Sequence, residues 1–232
     1  PGGLTNRTLF VEKDGRRAVL KIDPAPRMPP YNPRRDEAGI QERAAAIGRA
    51  NGVLYVDDTV LLAEWADGEV WTRDHFDEDD NLGFLAHALR AVHGLPLTGR
   101  VFDLQAAAHQ YVGRLNEADL DGAEPHIGLI ESMPGPANLC CCHNDLVAEN
   151  IISTPRVRFL DWEYACDNDP LFDLGVVVAH HGLSDRQAGV LLDAYFNGDG
   201  SPWREQLATQ MRLYDALYWL WAAANAFPAQ DE

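Results

Sequence analysis

The sequence predicts an α+β chain of two lobes, a small N-terminal lobe of antiparallel strands and a larger, mainly helical C-terminal lobe. Three observations lead there. Two short apolar runs flank Lys13-Asp14-Gly15, a hairpin turn signal, close to the N terminus. Helical spacing dominates from Asn81 onward. The pattern changes near Trp65–Thr72, which divides the chain into residues 1–68 and 69–232. At 232 residues there is enough chain for two modest lobes sharing a cleft.

Taken in order, Thr8–Val11 and Arg17–Ile22 read as the strands of the hairpin. Asp23–Pro33 is too rich in proline to be helical throughout. Arg34–Ala50 has helix-forming composition, with Ile40 and Ile47 one heptad apart. Val60–Glu64 is a short apolar strand, and Trp65-Ala66-Asp67-Gly68 is a turn. Helical spacing follows over Asn81–His93, Val101–Leu120 and Ala123–Met133. Cys140–Cys142 reads as a buried strand, and Ile151–Ser153 with Val157–Leu160 as a second hairpin. Leu171–His181, Asp185–Phe196 and Ser201–Phe227 are expected as the closing helices.

Composition narrows the classes of function. Hydrophobic residues at 46% and charged residues at 24% are ordinary for a globular chain. No run approaches the roughly 18 apolar residues of a membrane span, and no signal peptide is expected. The chain opens on Pro1-Gly2-Gly3 without an initiator methionine, which leaves room for upstream sequence. A formal net charge of −17 repels nucleic acid and anionic membranes and favours cationic partners, or is simply a well-solvated acidic surface. Four cysteines, three of them consecutive, do not form a disulfide framework and read as reduced thiols of a cytoplasmic protein. A structural zinc site is not expected either, since neighbouring cysteines of a strand point to opposite faces and no second ligand pair follows.

The stretch "HNDLVAENII" carries more chemistry. His143, Asp145 and Asn150 have the form H-x-D-x-x-x-x-N, the catalytic-loop pattern of eukaryotic-type kinases. An aspartate must accept the proton of an attacking hydroxyl, while an amide oxygen a few residues on suits a hard cation such as Mg²⁺. A further carboxylate should come from the neighbouring hairpin, and Asp161 follows that hairpin directly.

With these residues in place, "HNDLVAENII" followed by "RFLDWEYACDNDPLFDLG" resembles the choline/ethanolamine kinase branch of the aminoglycoside-phosphotransferase-like kinases. "GGLTNRTLFV" and "AVLKI" are similar to that branch's nucleotide loop and lysine strand, so the resemblance runs along nearly the whole chain. It implies a bilobal protein-kinase-like fold that uses ATP with Mg²⁺. It also implies Asp145 as catalytic base, Asn150 and Asp161 as metal ligands, and Glu163 assisting a second ion or orienting substrate. Lys21 would hold the phosphates, paired with Glu37 on the first helix, with Glu42 as the rival partner. Asn6 of the nucleotide loop and Glu64, within the inter-lobe segment Leu62–Ala66, complete the expected nucleotide site. Asp173 would support the catalytic loop.

The acceptor is expected to be a small hydroxyl compound. Asp161 is followed by Trp-Glu, not Phe-Gly, and no peptide-docking segment fits before Asp173. Met211, Tyr214, Tyr218 and Trp221 form one helical stripe, which could be plain core. "DALYWLW" resembles the family's choline-pocket helix, which implies Tyr218, Trp221 and Tyr164 as an aromatic cage for a cation. Choline kinases commonly carry a glutamate where this chain has His180. His180 and its neighbour His181 either face the substrate or have no ligand role. Ethanolamine therefore stands beside choline as the acceptor. Aminoglycoside or thiamine phosphotransfer, a non-catalytic nucleotide-binding protein and a metal-dependent hydrolase using "DWEYACDND" are the alternatives.

Overall fold

The computed structural model describes residues 7–25, 27, 29–136 and 138–225. The N-terminal part is an antiparallel sheet with one helix across it. Strands β1 (Arg7–Lys13) and β2 (Arg16–Ile22) form the expected hairpin around Asp14 and Gly15, both in the left-handed region at φ 52° and 73°. That turn needs positive φ, which an aspartate and a glycine tolerate and a β-branched residue would not.

Helix α1 (Arg34–Ala46) stops four residues before the expected Ala50. Gly48 at φ 73° donates to Ala45 O, and the Arg49 N–H returns to Ala44 O. This is the left-handed C-terminal cap that glycine favours, and it ends the helix despite the alanine-rich sequence around it.

A strand that was not expected follows, β3 (Val53–Val56), pairing with the expected β4 (Val60–Glu64). Its residues lie half-buried or exposed without alternation, so no period of two marked it. The sheet order is β1-β2-β4-β3.

Two small sheets anchor the rest. One joins β5 (Glu69–Val70), β7 (Ile151–Ser153) and β8 (Val157–Phe159); the other pairs β6 (Cys140–Cys142) with β9 (Cys166–Asn168). Strands this short take their stability from burial of their neighbours, and the core here includes Trp71, Phe76, Phe159 and Trp162.

Helix α2 (Asp79–His93) buries Leu82, Leu85 and Leu89 along one face. The helix expected over Val101–Leu120 is two helices, α3 (Leu104–Val112) and α4 (Glu117–Ser132). Asp103 caps the first by accepting from Ala106 N–H at 2.8 Å, Gly113 closes it, and Asn116 caps the second through Ala118 and Asp119 N–H. Side-chain caps of this kind contribute on the order of 1 kcal/mol each, enough to place a break within a continuous apolar pattern. The second helix also runs through 121–122, where an interruption was expected.

Helix α5 (Pro170–His180) is buried continuously from Leu171 to Val178, and α6 (Asp185–Phe196) starts at a Ser184/Gln187 capping box. The last helix, α7 (Arg204–Ala224), packs against α3, α4 and α5. Its expected end, Phe227, lies outside the described residues. Among the described residues no helix is long and apolar enough to cross a membrane.

Candidate active site

Asp173 organises the loop after β6. Its position in the first turn of the apolar helix α5 puts a carboxylate in the core, where each oxygen needs a donor. Oδ2 accepts the backbone N–H of His143 at 2.9 Å, and Oδ1 that of Asn144 at 2.7 Å. His93 Nε2 lies 3.0 Å from Oδ2. Burial opposes ionisation, but these partners, His93 first, hold the Asp173 carboxyl below its usual range.

Two left-handed residues then aim the functional carboxylates. Asn144 has φ 65° and Asp161 φ 56°, a conformation that short polar side chains tolerate best. Asn144 holds its own turn by donating from Nδ2 to Tyr164 O at 3.0 Å and accepting from Asn168 Nδ2 at 2.8 Å. The next residue, Asp145, is thereby presented at the cleft, where Asn150 Nδ2 donates to its Oδ2 at 2.9 Å. Burial, then repulsion from Asp161, pushes the Asp145 carboxyl up to about 7, against the Asn150 hydrogen bond.

Lys21 on β2 crosses to this loop. Its Nζ lies 2.8 Å from Asp161 Oδ1 and 3.2 Å from Glu37 Oε1. Burial disfavours the ammonium, yet Asp161 and then Glu37 raise its pKa overall. Lys21 in turn holds Asp161 below the ordinary carboxylate range, against burial. Glu37 is fully buried and Glu42 is exposed, so Glu37 is the partner of Lys21.

Two arginines complete a buried network. Arg34 Nη1 donates to Glu37 Oε2 at 2.7 Å and clamps Asp23 through Nε and Nη2. Arg27 reaches Glu37 Oε2 at 3.1 Å and Asp23 Oδ1 at 3.0 Å, and its Nη2 lies 2.8 Å from Glu163 Oε2. Burial, then Asp161, raises the Glu163 pKa despite Arg27.

One cavity of about 330 Å³ is lined by Asp145, Asp161, Glu163, Tyr164, His180, Tyr218 and Trp221 together. Tyr218 stacks between Tyr214 and Trp221, with centroids 5.7 and 5.6 Å away. His180 meets it edge-on at 5.6 Å and shares a 2.6 Å hydrogen bond with the Tyr214 hydroxyl. His181 turns elsewhere: it stacks on Phe76 at 3.9 Å, donates from Nε2 to Leu146 O, and burial lowers its pKa to about 4.

The profile of the phosphotransferase enzyme family matches residues 1–214. The chain belongs to that family. Its relatives include LicA of Haemophilus influenzae, 29% identical over 84% of this chain and 61% of that protein. The chain thus spans less than two thirds of that relative's length. A choline/ethanolamine kinase family protein from Mesorhizobium loti is 29% identical with a TM-score of 0.75, covering 99% of this chain and 81% of that one. The choline kinase LicA from Streptococcus pneumoniae shares the fold, with a TM-score of 0.80 at 21% identity over 97% and 84% of the two chains. The bilobal kinase-like fold expected from the sequence is therefore the fold of this chain.

Some expected site residues stand apart from the cavity. Asn6 lies outside the described residues. Glu64 ends β4, and its carboxylate accepts the Gly52 N–H at 3.2 Å while its carbonyl accepts from Asn51. Asn150 stands behind Asp145, not on the cavity wall. Sequence reasoning missed Arg27, Tyr111 and Glu149, and placed Tyr214 only in the stripe. All but Arg27 line the cavity. Arg27 sits in a proline-rich connection with no periodicity to mark it, whereas Glu149 lay inside the quoted motif.

Proposed function

We propose that this phosphotransferase moves the γ-phosphoryl group of ATP to the hydroxyl of a small cationic amino alcohol such as choline or ethanolamine. The observation that carries this reading is that one cavity is lined both by the carboxylates of Asp145, Asp161 and Glu163 and by the stacked rings of Tyr218 and Trp221. An aromatic face attracts a poorly hydrated cation by on the order of 0.5–2 kcal/mol. Tyr164, Tyr218 and Trp221 would hold the ammonium group, with the His180–Tyr214 pair closing the wall. The apolar, ring-lined wall offers little to the many hydroxyl and amino groups of an aminoglycoside. The likeness to a choline/ethanolamine kinase family protein points the same way.

In the reaction, Asp145 would accept the proton of the substrate hydroxyl as the oxygen attacks the γ-phosphorus in line. Lys21, fixed by Glu37, would hold phosphate oxygens once its bond to Asp161 loosens. Asp161, Glu163 and the side-chain carbonyl of Asn150 are hard oxygen donors of the kind Mg²⁺ takes. The Asn150 amide nitrogen is already committed to Asp145, so its oxygen is the atom left to face a cation. When bound, Mg²⁺ supplies the charge that the phosphate oxygens need neutralised. We place Asn6 and the Leu62–Ala66 segment at the nucleotide, with the lobes meeting after Gly68. Four free cysteines and the use of ATP favour a cytoplasmic setting.

The test is turnover with Mg-ATP against choline, ethanolamine, thiamine and an aminoglycoside. Choline or ethanolamine should be preferred by kcat/KM. Preference for the aminoglycoside, or no turnover with any acceptor, would overturn the assignment.

A further inference from the structure

The expectation that the cysteine run cannot converge fails for two of its members. Cys140 and Cys142 occupy alternate positions of β6, so the strand's two-residue period places both thiols on one face. Their Sγ atoms lie 3.4 Å apart. His93, the last residue of α2, brings a ring nitrogen to the same place, all three ligand atoms falling within 4.8 Å of one another.

The histidine is already oriented. The ionised Asp173 accepts at Oδ2, so His93 Nε2 carries the proton. In the neutral ring, Nδ1 then holds a lone pair toward the Tyr195 hydroxyl at 2.7 Å. With Nε2 committed to Asp173, Nδ1 is the ring nitrogen with a lone pair to offer a cation. Histidine ligands of metals commonly carry such a carboxylate partner on the other nitrogen.

We propose that His93 Nδ1, Cys140 Sγ and Cys142 Sγ form a binding site for a thiophilic divalent cation of the Zn²⁺ class, separate from the acceptor cavity. Two thiolates and an imidazole suit such an ion, whereas the carboxylates of the cleft suit Mg²⁺. Tetrahedral geometry with metal–sulfur bonds of about 2.3 Å sets the sulfurs about 3.8 Å apart, so the thiols part by only a few tenths of an ångström. Cys140 is half-buried, which leaves its side chain room to turn. A surface cavity lined by Arg90, His93, Gly94, Tyr195 and Phe196 reaches the histidine of this cluster. Both thiols contact Asn168 O at 3.6–3.7 Å, and Cys142 also contacts Asp169 O. Ionising them gives up these contacts, so binding should release protons and strengthen with pH. The ion would tie α2 to β6, one hydrogen bond from the carboxylate that holds the catalytic loop.

The experiment is a titration of the reduced full chain with Co²⁺, a spectroscopic stand-in for Zn²⁺. One equivalent should produce visible d–d bands and sulfur-to-cobalt charge-transfer absorption, both displaced by one equivalent of Zn²⁺. The double variant Cys140→Ser with Cys142→Ser should abolish the charge-transfer absorption, and Asp161→Asn, which removes a carboxylate of the cleft and its ion pair with Lys21, should keep it. Tyr195→Phe, which removes the hydroxyl competing for Nδ1, should tighten binding by about two- to tenfold. The proposal is overturned if the native chain shows no charge-transfer absorption or if the double variant retains it. Unchanged or weaker binding in Tyr195→Phe would take His93 out of the coordination and overturn it equally.

Discussion

Lys21 and Asp161 are separated by 140 residues in sequence and by 2.8 Å in space. Their ion pair links the N-terminal sheet to the loop after the second hairpin, and Glu37 holds the lysine from the other side at 3.2 Å. The charge that would meet ATP is thus positioned before any ligand arrives.

Removing the shared carboxylate should be felt throughout the network. Glu37 faces Lys21, Arg27 and Arg34 from a fully buried position. Glu37→Ala would leave three cations short of a partner and destabilise the fold by about 3–5 kcal/mol, read by denaturant unfolding. Lys21→Met should cost less stability, because Glu37 keeps both arginines, while lowering kcat/KM for ATP. Equal losses of stability in the two variants would refute this ordering.

Asp145→Asn should reduce phosphoryl transfer by at least about 10²-fold while ATP still binds. Calorimetric ATP binding and a coupled turnover assay measure the two separately. Near-native turnover would remove Asp145 from the role of base.

The same variant makes a pH prediction for the ligand-free protein. The Asp145 carboxyl rises from 3.8 to about 7 on folding, so the folded state holds its proton more tightly. The stability tied to that proton is complete below about 4, is lost as pH rises, and is gone above 7. Asn carries no such penalty. The Tm of Asp145→Asn relative to the native chain should therefore be small at pH 4 and grow until about pH 7, then level off. A Tm difference independent of pH would contradict the raised value.

Cation recognition by rings predicts a charge-specific loss. Tyr218→Ala and Trp221→Ala should each raise KM for choline by about 2- to 30-fold. The uncharged carbon analogue, 3,3-dimethylbutanol, should be a poor acceptor for the native chain and should lose little further in either variant. If charged and neutral acceptors suffered equally, the rings would be acting by shape alone.

Much of this site was legible because its chemistry is compact in sequence. His143, Asp145, Asn150 and Asp161 fall within one short span whose spacing follows from the loop and hairpin that carry them. Lys21 was legible as a charge inside an apolar strand. Arg27 was not, since a charged residue between prolines looks like any solvated loop until Glu37 and Glu163 come to it. Among the elements, β3 and β9 escaped because strands of four and three residues, one half-exposed and one wholly buried, show no alternation. The break between α3 and α4 depends on Asn116 and Gly113, whose capping outweighs the apolar spacing on either side. Cys140 and Cys142 were misjudged as a trio with Cys141, when the period of a strand separates only the middle one.

The proline-rich stretch 23–33 has the composition of a spacer but the geometry of a gauge. Asn32 donates from Nδ2 to Ala165 O at 2.7 Å and to Trp162 O at 3.2 Å, and its backbone N–H meets Glu163 O at 2.7 Å. A few residues earlier, Arg27 grips the side chain of the same Glu163. The segment therefore measures out a fixed length between the lysine strand and the carboxylates of the cleft. Across related chains, insertions and deletions should gather in other loops and spare this one, although its sequence looks like the easiest place to lengthen.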